Sequence, residues 1–298
     1  MAGGDGNGWA ECGRRHRHWG THGAAGLLAY ALDQAGQPSV LLLHRADWTQ
    51  HGGTWGPPGG ARDSHESAAA AALREAAEEC GVPPGAVRVQ GMLRDDHGGW
   101  SYETVIGHAQ SAFPVRATSR EATEAAWVPA AGVDALPLHP GFAQTWPVLR
   151  GALHPVTVIV DGANVMGARA DGWWRDRAGA TVRLHDELAG LSTRGMTSLP
   201  DGVAGAALDR WFPQIVLVIE GAARAAAGRL AARPAGQAQR GDGIRVVTAA
   251  GSGDDAIAAL AEETDGRRLV VTADRELRRR CERAGAAVTG PRWLLGLL

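Results

Sequence analysis

The stretch GARDSHESAAAAALREAAEECGV, residues 60–82, decides how the first half of this chain is read. Its Ala-rich middle has high helix propensity, and the spacing predicts a helix from about Ser64 to Cys80. Asp63 is the expected N-cap, with Glu66 three residues later completing an acidic capping box, and Gly81 is the expected C′ residue. On that helix Glu75 stands at i,i+4 from Glu79 and i,i+3 from Glu78, so three carboxylates share one stripe beside Arg74. Each like-charge pair costs on the order of 0.2–0.5 kcal/mol. A hard divalent cation, which prefers oxygen ligands, reverses that sign. A Glu-rich helix taken alone reads as a solvated face, so its flanks carry the argument.

Upstream runs Gly52-Gly53-Thr54-Trp55-Gly56-Pro57-Pro58-Gly59-Gly60, a turn whose glycines let backbone amides and carbonyls approach a ligand closely. Two strands precede it, over 26–30 and 39–44, separated by a turn at 33–38. His44 and Arg45 end the second strand near the loop, which makes Arg45 and Gly60 candidates for phosphate contact. Later strands are expected over 87–93 and 101–109 and a short helix over 141–150, giving a mixed α/β domain. Trp48, Trp55 and Trp100 are candidates either for stacking on a base or for packing.

From Gly60 to Val82 the chain fits the pattern GX5EX7REUXEEXGU at every fixed position, and in this it resembles the Nudix hydrolases. Ala76 fills the middle aliphatic position, and Pro57 stands where the family often has Leu. The resemblance implies an α/β/α sandwich with a mixed sheet and Mg²⁺- or Mn²⁺-dependent hydrolysis of a diphosphate bond in a nucleoside diphosphate derivative. Carried over by residue, Glu78 and Glu79 are metal ligands, Glu75 is a ligand or the base for the attacking water, the Gly59 carbonyl is a further ligand, and Arg74 orients the carboxylates. Glu121 and Glu124 are candidates for an additional downstream carboxylate. The box leaves the substrate open among ADP-ribose, oxidised nucleoside triphosphates, dinucleoside polyphosphates and capped RNA ends, because loops outside it make that choice.

At 298 residues the chain has room for two domains. All 30 of its basic residues are Arg, which removes Lys-dependent chemistry and with it a GxxxxGK[ST] ATPase. No apolar run reaches membrane-spanning length, and the first 20 residues lack a signal-like apolar segment. Cys12, Cys80 and Cys281 are odd in number and scattered, fitting neither a disulfide framework nor a CxxC metal site, so a reducing cytoplasm is the expected compartment. Residues 1–15 are Gly-rich and polar and are expected to be a disordered tail.

The segment from Trp146 to Pro155 precedes a fresh strand signal, which places the domains at 16–152 and 156–298. Before His154 there are 11 Arg and 15 acids; after it, 19 Arg and 17 acids. The second half alternates apolar strands (156–160, 215–219, 244–248, 269–272) with Ala-rich helices, which argues for an α/β/α domain with a mainly parallel sheet. Asp161, Glu220 and Asp274 each follow a strand at its carboxyl end, where open α/β sheets bind ligands, and Asn164 follows Asp161 closely. Asp254 and Asp255 open a helix after Gly251-Ser252-Gly253 and read alone as helix-terminal acids.

The order VDGANVMG, IEG, SGDDAI, VVTADRE resembles the NYN family of PIN-like nuclease domains over about residues 156–290. This implies that Asp161, Asp254, Asp255 and Asp274 hold one or two divalent metals, with Glu220 and Asn164 in support. Without those five acids the second half carries 19 Arg against 12 acids, a balance suited to a polyanion such as RNA. Trp173, Trp174, Arg175 and Arg177 either contact nucleic acid or anchor a helix. The expectation is a Nudix hydrolase taking a nucleotide substrate, fused to a metal-dependent RNase. The alternative is an RNA-binding or RNA-cleaving protein whose first domain senses a nucleotide.

Overall fold

Five residues of the second half's sequence, Ala206–Arg210, belong to the first structural unit. In the computed structural model, which describes residues 4–200, 202–232 and 244–298, one unit runs to His154 and also takes in Ala206–Arg210; the other comprises Pro155–Gly205 and Trp211–Leu298. The excursion at 206–210 docks by backbone pairing: the Asp209 N–H donates to the Met92 carbonyl at 3.0 Å, and its carboxylate accepts from the Arg94 N–H at 2.7 Å. No linear boundary anticipates such a segment.

The first unit contains, in order, β1 (Trp9–Glu11), β2 (Arg17–Trp19), β3 (Ala24–Leu32), β4 (Pro38–Arg45), β5 (Trp55–Gly56), β6 (Gly59–Ala61), α1 (Ala68–Cys80), β7 (Val87–Asp96), β8 (Ser101–Ala109), β9 (Ala122–Pro129) and α2 (Pro140–Leu149). The sheet is mixed, as expected: β3 pairs in parallel with β8 and antiparallel with β4 and β6. Strand β7 adds antiparallel to β8, and β5 and β9 add antiparallel to β4. Because β3 is central, it is apolar on both faces, and only its last residue is not fully buried.

Helix α1 lies on one face through Ala68, Ala71, Ala72, Ala76 and Cys80, which pack with Ala25, Leu27, Ala29, Leu41 and Leu43 of β3 and β4. Small residues along that stripe let the helix approach the sheet closely, which fixes the height of its carboxylates above β6. On the same strand Tyr30, wholly buried, donates its hydroxyl to Gln90 Oε1 at 2.9 Å, and Gln90 in turn donates to the carbonyls of Ala152 and His154.

Two local expectations are corrected. Helix α1 starts at Ala68 with Ser67 as N-cap, its hydroxyl accepting from the Ala70 N–H at 3.2 Å, so Asp63 is not the cap. Glu66 does reach back to the Asp63 N–H, but its carboxylate is drawn off by Arg74, and the intervening residues form a turn. The start of the chain is not a disordered tail over its described part: β1 pairs antiparallel with β2, with Trp9 edge-on to Trp19 at 5.6 Å. Cross-strand aromatic pairing of this kind offsets the entropy of a Gly-rich segment.

The second unit contains β10 (Val156–Asp161), α3 (Gly162–Gly167), α4 (Arg177–Arg194), β11 (Gln214–Ile219), α5 (Ala225–Ala231), β12 (Ile244–Thr248), α6 (Gly253–Glu263), β13 (Arg267–Val271), α7 (Arg275–Arg283), β14 (Ala287–Thr289) and α8 (Pro291–Leu295). Among the described residues its sheet has five strands, all parallel, in the order β12-β11-β10-β13-β14. The order reverses between β10 and β13, which makes their carboxyl ends the crevice of the sheet. One face is covered by α6 and α7 through Ile257, Leu260, Leu277 and Cys281.

Gly81 ends α1 at φ 70°, and its N–H and that of Val82 close back on Ala77 and Ala76. A Cβ there would meet nothing within 4 Å. Gly81→Ala is therefore expected to cost only the left-handed backbone penalty, about 1–2 kcal/mol, seen as a lower urea midpoint with an unchanged m-value. A neutral or stabilising result would show that the C-terminal turn of α1 does not hold this geometry.

Candidate functional site

The hub of the first unit's site is Arg74. Its Nε and Nη2 donate to the two oxygens of Glu66 at 2.8 and 2.9 Å, its Nη1 donates to Glu75 at 2.7 Å, and Nη2 also reaches the Ala61 carbonyl at 3.1 Å. Glu78 stands 3.7 Å away on the next turn. One guanidinium thus ties the loop before the helix, the end of β6 and the carboxylate stripe together, a task for which a planar fork is suited and a point charge is not. The Glu66 carboxyl is held below the usual carboxylate range by these hydrogen bonds from Arg74.

The remaining carboxylates are under-compensated. Glu79 is half-buried and accepts the Gly59 N–H at 2.9 Å. Burial raises its carboxyl to about 7, with the Gly59 hydrogen bond opposing, Glu75 and Glu121 reinforcing the rise, and Arg45 opposing it. Burial also raises Glu75, against the pull of Arg74. Glu78 is the exposed member. The glycines before the helix leave the room this cluster needs. A Cβ on Gly60 would lie 2.7 Å from the Glu75 carboxyl, and one on Gly59 would lie 2.5 Å from the Ala25 carbonyl and from Gly26. The structure thus brings together Arg74, Glu75, Glu78, Glu79, Gly59 and Gly60, with Arg45 and Glu121 close enough to act electrostatically on Glu79.

Sequence reasoning missed Glu66 as a working partner of Arg74, having taken it as a capping residue. It also missed the loop after β8, where Thr118 donates its N–H to the Glu79 carbonyl at 2.9 Å and its hydroxyl to the Glu78 carbonyl. No local signal marks Thr118, because the contact spans 39 to 40 residues of chain. Of the three tryptophans offered for base stacking, Trp48 is 70% exposed, Trp55 lies on β5 against His44, and Trp100 is buried under His18 and unable to meet a base. Glu124 faces His44 across the β4–β9 pair.

In the second unit Asp161 is buried at the end of β10. Its oxygens accept from the Asn164 N–H at 3.0 Å, the Asn164 amide at 2.7 Å and the Thr272 hydroxyl at 2.8 Å. Burial raises its carboxyl, and the Asn164 and Thr272 hydrogen bonds oppose the rise. Asn164 also accepts the Ala273 N–H, Asp274 caps α7 through the Glu276 and Leu277 amides, and Glu220 accepts the Gly253 N–H at 2.7 Å. Asp254 is raised first by burial and then by Asp161, Asp274 and Glu220. Those four acids therefore share one field at the sheet's crevice. Asp255 does not join them: it pairs with Arg280 at 2.8 Å on the helix exterior, because successive helical residues point about 100° apart. Arg177 lies over the Trp173 ring at 5.4 Å, and Trp174 is 57% exposed.

An acidic fan on a helix beside a Gly-rich turn, on a mixed sheet, defines a hydrolase of phosphoric anhydride bonds. The NUDIX domain model matches residues 21–149. Over 163 residues the chain is 44% identical to the putative 8-oxo-dGTP diphosphatase 3 of Mycobacterium tuberculosis, covering 52% of this chain and 73% of that protein. It is 40% identical over 146 residues to a nucleoside triphosphate pyrophosphatase/Nudix hydrolase fusion protein of Bifidobacterium longum, covering 48% of this chain and 30% of that one. Among solved structures, a Nudix hydrolase from M. smegmatis, RenU, is similar at 44% identity, covering 49% of this chain and 93% of that chain with a TM-score of 0.46. This chain belongs to the Nudix family, whose enzymes generally use divalent metal ions.

A carboxyl that titrates at about 7 in the folded state and at 4.5 when unfolded binds its proton more tightly folded, so its contribution to stability falls as pH rises from 4.5 through 7. In chelator-treated protein, Glu79→Gln is expected to raise stability at pH 8 by about 1–3 kcal/mol and to leave it unchanged near pH 4. Thermal unfolding at the two pH values measures this, and equal stabilities at pH 8 would mean Glu79 is not strained.

Proposed function

We propose that the first unit hydrolyses a diphosphate linkage in a nucleoside diphosphate derivative with Mg²⁺, or Mn²⁺ in its place. The observation that carries this reading is the carboxylate set Glu75, Glu78 and Glu79 around one Arg, with Glu75 and Glu79 half-buried and raised chiefly by that burial and Glu78 exposed beside them. Such an oxygen-only donor set fits a hard divalent ion. Glu78, Glu79 and the Gly59 carbonyl would hold it, with Glu75 as a further ligand or as the base toward water. When bound, the ion lowers the pKa of its water and neutralises phosphate charge. Arg74 keeps Glu75 in register with the loop, and Arg45, beside Glu79, supplies positive charge for a phosphate that approaches over Gly60. The similarity to a putative 8-oxo-dGTP diphosphatase favours an oxidised nucleoside triphosphate as the first substrate to try, with ADP-ribose, dinucleoside polyphosphates and capped RNA beside it.

We propose for the second unit a metal-dependent RNase of the NYN/PIN-like kind. Convergence of Asp161, Glu220, Asp254 and Asp274 at the switch point of a fully parallel sheet favours that reading over a purely binding role. Asp255 stands outside that set, in its ion pair with Arg280. The protein is expected to act in the cytoplasm, and among the described residues no helix is long and apolar enough to cross a membrane.

Incubation with Mg²⁺ and a nucleotide panel, alongside capped and uncapped RNA, tests both readings. Glu79→Gln is expected to lower nucleotide turnover about 10³-fold or more while leaving RNA cleavage intact. Asp274→Asn should do the reverse. Nucleotide turnover insensitive to Glu79→Gln would remove the first assignment. RNA bound without cleavage by the wild type would turn the second unit into a binding module.

A further inference from the structure

The hairpin that replaces the expected tail carries Cys12 at its first turn residue and His16 and His18 on its return, and His97 comes from the turn between β7 and β8. One potential ligand atom from each of these four residues lies within 4.8 Å of every other. Two of the three rings have an idle nitrogen in a place where idleness is expensive: His18 Nε2 and His97 Nδ1 are buried with no hydrogen-bond partner. Cys12 is also buried and is a free thiol. His16 is the exposed member.

The surroundings hold these side chains in place. His97 presents its other nitrogen, Nε2, to Asp95 at 3.0 Å, which fixes the ring so that Nδ1 points away from the carboxylate. A carboxylate behind a ring is the usual outer support of a metal-bound histidine. His18 stacks on Trp100 at 4.0 Å with planes 10° apart and meets His97 edge-on at 4.7 Å. Trp100 is itself locked by donating to the Gly20 carbonyl at 2.9 Å. The turn from Cys12 to His16 is closed by the Cys12 N–H on the His16 carbonyl at 2.9 Å, with Arg15 forced to φ 61°. A non-Gly residue in that region is a strained choice that brings the two ends of the turn together.

We propose that Cys12, His16, His18 and His97 form a structural zinc site that fastens the N-terminal hairpin to the β7–β8 turn. The donor set of one sulfur and three imidazole nitrogens excludes Mg²⁺ and Ca²⁺, which want oxygen, and suits tetrahedral Zn²⁺. In such a site ligand atoms stand about 3.3–3.8 Å apart, so the cluster closes by side-chain rotations of about an ångström. One thiolate and the Asp95 carboxylate offset the two charges of the ion. Four protein ligands leave no open position, so the site braces the fold and does not hydrolyse. It is separate from the glutamate site in residues and in metal chemistry.

Zinc content of the full chain, purified without chelator, is expected to be about one equivalent by mass spectrometry. Replacement by Co²⁺ should give the intense visible bands of a tetrahedral ion and a sulfur-to-cobalt charge-transfer band. Cys12→Ser should remove that band and weaken Zn²⁺ binding at least about 100-fold, while Glu79→Gln leaves both unchanged. Should Cys12→Ser fail to fold, His16→Ala, at the exposed corner, and Asp95→Asn, which keeps all four ligands, decide the matter, the latter by a loss of about 10–100-fold in affinity. Zinc absent from the purified chain and not taken up from solution, a cobalt spectrum without the tetrahedral bands, or binding that survives both Cys12→Ser and His16→Ala would overturn the proposal.

Discussion

The first unit's site rests on one guanidinium. Arg74 spans a loop carboxylate, a helix carboxylate and a strand-end carbonyl at once, and each of those partners belongs to a different element. Without it, four carboxylates would face one another before and along the C-terminal half of α1 with only backbone amides to steady them. With it, Glu66 is satisfied and Glu75 is oriented, yet Glu79 still lacks charge compensation. The residue is a positioning device whose incompleteness leaves a cation's place in the charge balance. The Ala stripe beneath supports this arrangement, since longer side chains would lift α1 from β3 and carry the carboxylates away from Gly59 and Gly60.

Much of this was legible in sequence because its causes are local. Helical spacing alone puts Glu75, Glu78 and Glu79 on one stripe, and Gly81 at the helix end follows from its freedom at positive φ. Strands such as Ser101–Ala109 and Ile244–Thr248 coincide with the predicted spans because both are rich in the β-branched and aromatic residues that suit a pleated surface. The sequence points to Asp63 as the cap because Asp63 and Glu66 fit a capping-box pattern, whereas Ser67, with Ala70 three residues on, caps through its hydroxyl alone while Arg74 draws Glu66 away. Strand β9 has weak intrinsic signal, Ala-rich and charged, and forms because β4 presents an unpaired edge over seven residues of register.

Non-local juxtapositions were not legible, and they matter most. Ala206–Arg210 returning to β7, Thr118 capping α1, and His97 meeting Cys12 each join residues tens of positions apart. A spacing of C-x3-H-x-H carries little weight while its fourth ligand is unknown, and in a stretch rich in Gly and Arg it reads as solvated tail. The same polar residues become meaningful only when β8 brings Trp100 beneath His18.

The two units place their acids by different physics. In the first, α1 carries the carboxylates on its flank, and a Gly-rich loop comes to meet them. In the second, parallel strands deliver Asp161, Glu220 and Asp274 to one edge, and Asp161 and Asp274 also cap the helices that follow. Double duty of that kind ties the caps to the crevice, because an oxygen engaged with a helix amide fixes the direction of its partner oxygen. It also explains why Asp255 falls away although it neighbours Asp254: the helix start sets the rotation, and here it turns Asp254 toward the strand ends and Asp255 toward Arg280. Consecutive acids on a helix stand about 100° apart, so the rotation at the helix start decides whether one or both reach a site: Glu78 and Glu79 flank theirs, whereas Asp254 faces the strand ends and Asp255 pairs outside with Arg280.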